Sequence, residues 1–442
     1  MFSVLDRRFE LTAHGTTVRI EIVAGVTTFL TMAYIIFVQP AVLGAAGMDF
    51  GAVLTATCLS TALATALMAL LANYPIAVAP AMGHNFFFAY SVVIGMKVPW
   101  RVALGAVAIA GLLFVITAGI GLRERLITAI PASMKHAIAA GIGLLIATIG
   151  LEWAGLIVAA PGTLVTLGDL HAAPTVVAVL ALALTAVLLA RRVPGAFLWG
   201  ILAATAVGVP LGIVHFEGFA SRPPSLAPTF MQLDIRGAFA PGMVAAVFVF
   251  FFLALFDSIG TLVGVGEQAG LMRDGTLPRA REALLADAIG TVAGATLGTS
   301  TVTAYIESGA GIAAGGRTGL TSLVTAALFI LSLLFYPLVR TIGGGYVVNG
   351  MTLYPVIAAP LVLVGTMMIG GLRHISWDDP TEGIPAFLTV ILMPLATSIT
   401  EGVAFGVLSY SLLKLACGRG REVHPLIYAF AVLFLLRYGF LR

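Results

Sequence analysis

The sequence predicts an all-α polytopic membrane protein, and three observations carry that prediction. Of its 442 residues, 60% are hydrophobic and 10% charged, with a mean hydropathy of +1.07. Soluble domains carry roughly 25% charged residues. Apolar runs of the length that crosses a bilayer, about twenty residues, recur between polar breaks from end to end. Two of those runs are interrupted by extended chain leading into a helix too short to cross alone, a pattern tolerated at membrane depth only where it lines a cavity.

In chain order the runs lie near 20–46, 52–73, 80–96, 101–121, 132–154, 174–192 and 195–214, then 240–265, 282–298, 302–316, 319–341, 353–372, 381–399 and 401–416. That makes fourteen predicted spans. His424–Leu441 reads as either a fifteenth crossing or a surface helix. The first run follows MFSVLDRRFELTAHGTTVR with no small-residue cleavage site, so it reads as a retained span and not a signal peptide. Cys58 and Cys417 lie in or near apolar runs and imply no disulfide framework.

Charge sets the predicted orientation. With Arg7, Arg8 and Arg19 cytoplasmic, the inner loops carry Arg123, Arg125, Lys135, Arg191, Arg192, Arg273, Arg279, Arg281, Arg317, Arg373, Lys414, Arg419 and Arg421. Outer loop 155–173 has no Lys or Arg, and the exceptions (Lys97, Arg101, Arg222, Arg236, Arg340) are fewer. The net charge of +3 therefore reports orientation, not nucleic-acid binding.

Seven spans followed by seven suggest an inverted repeat, and the interrupted runs support it. The third, YPIAVAPAMGHNFFFAY (74–90), has a Pro-flanked lead and a helix opening at Gly83. Its counterpart seven spans later is GTSTVTAYIESGAGIAAGGRTG (298–319): Ser300–Tyr305 reads as extended chain and the Gly/Ala part as a short helix. Interrupted segments at matching places in two halves point to a midplane substrate site.

Candidate site residues follow from that placement. Asp257 is the one charge inside FFLALFDSIGTLVG, and a mid-helix carboxylate costs about 2.5–3.5 kcal/mol to insert, so it should not face lipid. Its plainer role is a hydrogen bond to Ser258, Thr261 or a neighbouring helix. Glu307 sits where extended chain becomes short helix, and the plainer role there is a helix cap. His84 and Asn85 open the other short helix; Asn both donates and accepts, and His titrates near neutrality. Phe86, Phe87 and Phe88 offer a stacking wall for a flat ring, against the plainer reading of packing. Ser258 and Ser308, beside the two acids, complete the substrate-binding set. Asp287 reads as structural, and Glu21, Glu382 and Glu401 as helix-end residues; Glu152 is a further acid near a span end. Arg317 suits the C-terminal dipole of the Gly-rich helix. No phosphate loop, HExxH or GxSxG occurs, and the GxGxxG-like strings lie outside any βαβ unit, so no enzyme is expected.

VRIEIVAGVTTFLTMAYIIFVQPAVL (18–43), FFLALFDSIGTLVGVGEQAGL (251–271), GTSTVTAYIESGAGIAAGGRTGL (298–320) and TEGIPAFLTVILMPL (381–395) resemble the AzgA-like purine permeases of the nucleobase–ascorbate (xanthine/uracil) transporter superfamily. The resemblance covers nearly the whole chain. It implies fourteen spans in two inverted seven-span repeats. Core segments would be 1–121 and 240–342, and gate segments 122–239 and 343–442, with a homodimer through the gate. It also implies import of adenine, guanine or hypoxanthine by cation symport, with H⁺ the expected ion and Na⁺ the alternative, and no other cofactor. Carried across, the functional asparagine, aspartate and glutamate fall on Asn85, Asp257 and Glu307. Where the family typically reads APGMGLNAFFAY this chain reads APAMGHNFFFAY, so Ala81, His84 and Phe86 change the expected pocket.

The expected mechanism has the base between spans 3 and 10, its ring against Phe87 or a nearby aromatic. Asp257 and Glu307 bind it and carry the proton, and the core moves as a unit past the gate in the cell membrane. The rival reading is an anion transporter or channel of the same architecture, for sulfate or bicarbonate; two carboxylates in the pocket count against it.

Overall fold

The computed structural model describes residues 2–120, 131–160, 162–240, 242–272, 277–348 and 350–440; Arg123, Arg125 and Arg273 lie outside them. Helices dominate, and every expected apolar run has its helix. In the first half these are α1 (Phe2–Phe9), α2 (Val18–Met32), α3 (Ile35–Ala45), α4 (Phe50–Leu67), α5 (Met82–Phe86), α6 (Trp100–Ile120), α7 (Ala132–Trp153), α8 (Ala173–Ala190) and α9 (Ala196–Gly208). In the second they are α10 (Met243–Gln268), α11 (Ala280–Leu297), α12 (Ser308–Ala313), α13 (Gly319–Ser332), α14 (Tyr336–Gly343), α15 (Ala358–Ile369), α16 (Pro380–Leu395), α17 (Ile399–Ala416) and α18 (Pro425–Phe440). Among the described residues eight helical stretches are long and apolar enough to cross a membrane, from Val18–Ala45 to Ile399–Ala416. The chain is a polytopic membrane protein.

The starts of these helices follow from local chemistry. Thr17 caps α2, Asp49 accepts from Ala52 N at 2.8 Å to cap α4, and Ser398 caps α17, each side chain replacing a missing intrahelical acceptor. α5 continues as a π-helical stretch, Phe87–Gly95, so the third run is a longer helix than its sequence suggests. The C-terminal piece resolves as α18, sixteen residues and so about 24 Å long, short of the ~30 Å hydrocarbon core. It lies along α10 and α17: the Phe430 ring is 4.0 Å from that of Phe248, and Arg437 reaches Glu401 at 2.8 Å.

At the centre, β1 (Val78–Pro80) pairs antiparallel with β4 (Val302–Ala304), with Val78 opposite Ala304 and Pro80 opposite Val302. Two further hairpins, β2 (Ile157–Ala159) with β3 (Val165–Leu167) and β5 (Tyr346–Val348) with β6 (Met351–Leu353), lie in connecting segments. A two-stranded ribbon leaves two unpaired edges, which must be satisfied in a dry interior. The same device covers both. The Thr65 hydroxyl of α4 donates to Val78 O at 2.9 Å and accepts from Val78 N at 3.0 Å. The Thr291 hydroxyl of α11 donates to Val302 O at 2.8 Å and accepts from Val302 N at 3.3 Å.

The short helix α12 is held by close backbone approach. A Cβ at Gly311 would lie 2.0 Å from Thr28 Oγ1 and 2.7 Å from Ala24 O, so only glycine lets α12 lie flat on α2. Beyond it, fully buried Glu21 of α2 accepts from Arg317 N (2.9 Å), Thr318 N (3.3 Å), Thr321 N (3.1 Å) and the Thr321 hydroxyl (2.6 Å). The expectation of a helix-end role for Glu21 is met across the fold: it caps α13 and not its own helix. Arg317 donates to Ile312 O at 2.8 Å and Gly316 O at 2.7 Å, closing the C-terminal end of α12 as expected.

Candidate functional site

Two short segments meet at mid-protein and are stitched to each other. Ala81 N donates to Thr301 O at 3.0 Å, Tyr305 N to Ala77 O at 2.9 Å, and the Tyr305 hydroxyl to Pro80 O at 2.5 Å. Beside the seam lies a two-lobed hollow. One lobe, about 250 Å³, is lined by Tyr34, Asp257, Thr303, Tyr305, Ile306 and Glu307, together with Met367 and Met368. The other, about 370 Å³, is lined by His84, Lys135, His136, Phe256 and Asp257. Gly83, Ala139, Asp257, Thr261 and Met368 border both lobes, so the two volumes form one hollow with Asp257 at its waist.

The two acids are therefore brought to one space, as expected. Asp257 Oδ2 accepts from the Thr303 hydroxyl of β4 at 3.1 Å, and neither Ser258 nor Thr261 is its partner. Its side chain stays 45% exposed to the hollow. Glu307 stands at the N-cap of α12 without making a cap hydrogen bond; its Oε1 accepts instead from the Tyr34 hydroxyl at 2.6 Å. Among the described residues neither acid pairs with a lysine or arginine, and the nearest basic group to Asp257 is His84, Nδ1 to Oδ2 4.0 Å. Acceptors held in place without a counter-ion suit a neutral ligand rich in N–H donors, and repel an anion.

Other expected residues point elsewhere. Asn85 is fully buried, and its Oδ1 accepts from the Ser300 hydroxyl at 2.5 Å; Ser300 in turn accepts from Gln39 at 3.1 Å. It ties the two short segments together and does not border the hollow. The expected aromatic wall is not formed by Phe86 or Phe87. Phe86 stacks on Tyr90 (5.7 Å) and Phe87 packs on Phe250 (4.6 Å), both fully buried; Phe88 also faces Phe250. The rings that border the hollow are Tyr34, Tyr305 and Phe256. Ser258 is fully buried and borders neither lobe, and the Ser308 hydroxyl serves the scaffold, accepting from Ala77 N at 3.0 Å. Asp287 accepts from Ala304 N at 3.2 Å, the structural role expected of it. Glu382 pairs with buried Lys414 at 2.9 Å, and Glu401 with Arg437.

Sequence reasoning missed Tyr34 and Thr303, and named Thr261 only as a bonding partner for Asp257 and not as a residue of the hollow. Thr261 was open to a helical count, since i and i+4 share a face. Tyr34 lies 273 residues from Glu307 in an uncharged stretch, and no local signal marks it. Because Tyr34 both donates to Glu307 and borders the hollow, Tyr34→Phe should raise the half-saturating ligand concentration by about 10- to 100-fold, the worth of one hydrogen bond to a charged group. A binding isotherm on purified protein checks this.

Comparison with known proteins bears on what fills the hollow. The profile of the Permease family, of xanthine/uracil type, matches residues 19–405. The chain is 43% identical to the adenine permease AdeP of Escherichia coli over 439 residues, 99% of this chain and 96% of that one. It is likewise 43% identical to the guanine/hypoxanthine permease PbuO of Bacillus subtilis over 436 residues, 97% of this chain and 99% of that one. Among solved structures, the transmembrane domain of the cyanobacterial bicarbonate transporter BicA superposes with a TM-score of 0.61 at 19% identity, covering 90% of this chain and 96% of that domain. That likeness is one of fold.

Proposed function

This chain belongs to the Permease family, among its AzgA-like purine permeases, and on that premise we propose that it imports purine nucleobases across the cell membrane by proton symport. As a member of that family it is a transporter and not an enzyme. The observation that carries the substrate reading is the shared hollow of Asp257 and Glu307, two acceptors that pair with no lysine or arginine among the described residues. Adenine, guanine and hypoxanthine each present N–H groups to such acceptors. A site that hydrogen-bonds them rejects analogues lacking them, because its own polar groups would stay unpaired. Tyr34, Tyr305 or Phe256 supplies the face for the ring. Asn85 acts through Ser300, holding the two short segments in register.

The proton binds one of the two acids from outside and the base locks the neutralised site. The core, residues 1–121 and 240–342, then moves past the gate, residues 122–239 and 343–442, in an elevator step. Fourteen spans in two inverted repeats account for the element order and for the matched threonines, Thr65 and Thr291, on the two strand edges. Antiparallel pairing of equivalent strands suits a two-fold axis in the membrane plane. With the N-terminus cytoplasmic, Lys135 at the start of α7 marks the inner end, so the wider lobe leads toward the cytosol. Two copies associate through the gate.

One positive charge moved inward supplies about 2.3 kcal/mol per 100 mV, enough for accumulation of tens-fold. Uptake of radiolabelled adenine, guanine, hypoxanthine, uracil and sulfate in a deficient host, with and without an uncoupler and with sodium replaced, tests the reading. Purine accumulation abolished by the uncoupler is expected. Sodium-dependent, uncoupler-resistant accumulation would transfer the coupling to Na⁺, and sulfate uptake without purine uptake would overturn the substrate reading.

A further inference from the structure

Most polar groups around the hollow are satisfied within the protein, and His84 is not. Its side chain is 3% exposed, and both Nδ1 and Nε2 lack a hydrogen-bond partner. Buried polar groups are paired in the great majority of cases, so an orphan imidazole calls for an explanation. It borders the wider lobe, and its Nδ1 stands 4.0 Å from Asp257 Oδ2, beyond hydrogen-bonding range. The backbone leaves it little freedom to close that gap. A Cβ on neighbouring Gly83 would meet Ile142 Cγ2 of α7 at 2.7 Å, so this turn of α5 is pressed against α7.

Two unjoined groups at this spacing form a fork. A carboxylate oxygen keeps acceptor capacity whether or not the acid holds a proton, and a neutral imidazole always carries one N–H. The edge of a 6-oxopurine carries the complement, with N1–H beside the O6 carbonyl. Resting on the purine-carrier reading, we propose that His84 donates a ring N–H to O6 while Asp257 accepts N1–H, making His84 a specificity-determining residue. The apo protein then leaves the imidazole unpaired because its partner arrives with the substrate.

The test uses purified full-length protein, with 6-thiohypoxanthine and hypoxanthine each displacing tritiated hypoxanthine. The thio analogue keeps N1–H and replaces the oxygen with a weakly accepting sulfur. Wild type should prefer hypoxanthine by about tenfold or more. His84→Leu should lose most of that preference, through weaker hypoxanthine binding, and His84→Gln, whose amide N–H still donates, should keep it. In the absence of ligand the Leu variant should melt higher than wild type, because an unsatisfied group is gone; a structural histidine would give the opposite shift. An unchanged hypoxanthine/thio ratio in His84→Leu would overturn the edge assignment alone. Absence of binding of hypoxanthine, guanine and adenine alike by wild type would overturn the purine-carrier reading, and the edge assignment with it.

Discussion

Asp257→Asn should abolish concentrative uptake and leave the protein folded. Asparagine matches aspartate in shape and keeps one oxygen to accept from Thr303, whose hydroxyl lies 3.1 Å from Asp257 Oδ2. Among the described residues Asp257 has no salt bridge to a lysine or arginine, so neutralising it strands no opposite charge there, the usual source of large losses when a buried pair is broken. What asparagine cannot do is take a proton at one face and release it at the other. Accumulation ratios of tens-fold, sustained by about 2.3 kcal/mol per 100 mV, should fall toward one, and uncoupler sensitivity should disappear. Facilitated equilibration of the base should persist at reduced affinity. Accumulation against a gradient by Asp257→Asn, with the pH dependence of wild type, would remove Asp257 from the coupling step.

The second large effect is on stability. Glu21→Ala should lower it by about 3–5 kcal/mol, the scale for removing a partner from a buried charge network. Fully buried, Glu21 accepts from three backbone N–H groups and a hydroxyl at the start of α13. Without it those donors are left unpaired in a dry interior. Glu21→Gln keeps one acceptor oxygen and should lose roughly half as much. Thermal unfolding in detergent, followed by tryptophan fluorescence, reads both. Because α13 packs on α2 beside α12, the Ala variant should also lose ligand affinity as α12 loosens. A melting temperature within a degree of wild type would mean that water replaces Glu21 at the α13 terminus.

The helices were legible because a bilayer imposes a length and a composition that soluble folds do not. The runs near 132–154 and 381–399 became Ala132–Trp153 and Pro380–Leu395. Asp257 and Glu307 were legible because a carboxylate among apolar neighbours needs a reason. The direction of each side chain was not. Each residue along an α-helix turns by about 100°, so His84 borders the hollow while its neighbours Asn85, Phe86 and Phe87 turn to Ser300, Tyr90 and Phe250. The same rotation separates Asp257 from Ser258. Which face looked inward depended on where α7 and α15 lay, and that is tertiary information. Tyr34 sits between α2 and α3, where one helix breaks and the next begins, and only the fold brings it to Glu307.

The most direct measurement is displacement of tritiated hypoxanthine from the purified protein by adenine, guanine, uracil and sulfate. Two acceptors without a lysine or arginine partner among the described residues, around a common hollow, predict that guanine competes at concentrations comparable to hypoxanthine, that adenine, which lacks N1–H and O6, competes at higher ones, and that sulfate does not compete at any. Displacement by sulfate, or binding untouched when Asp257 and Glu307 are both neutralised, would contradict the account.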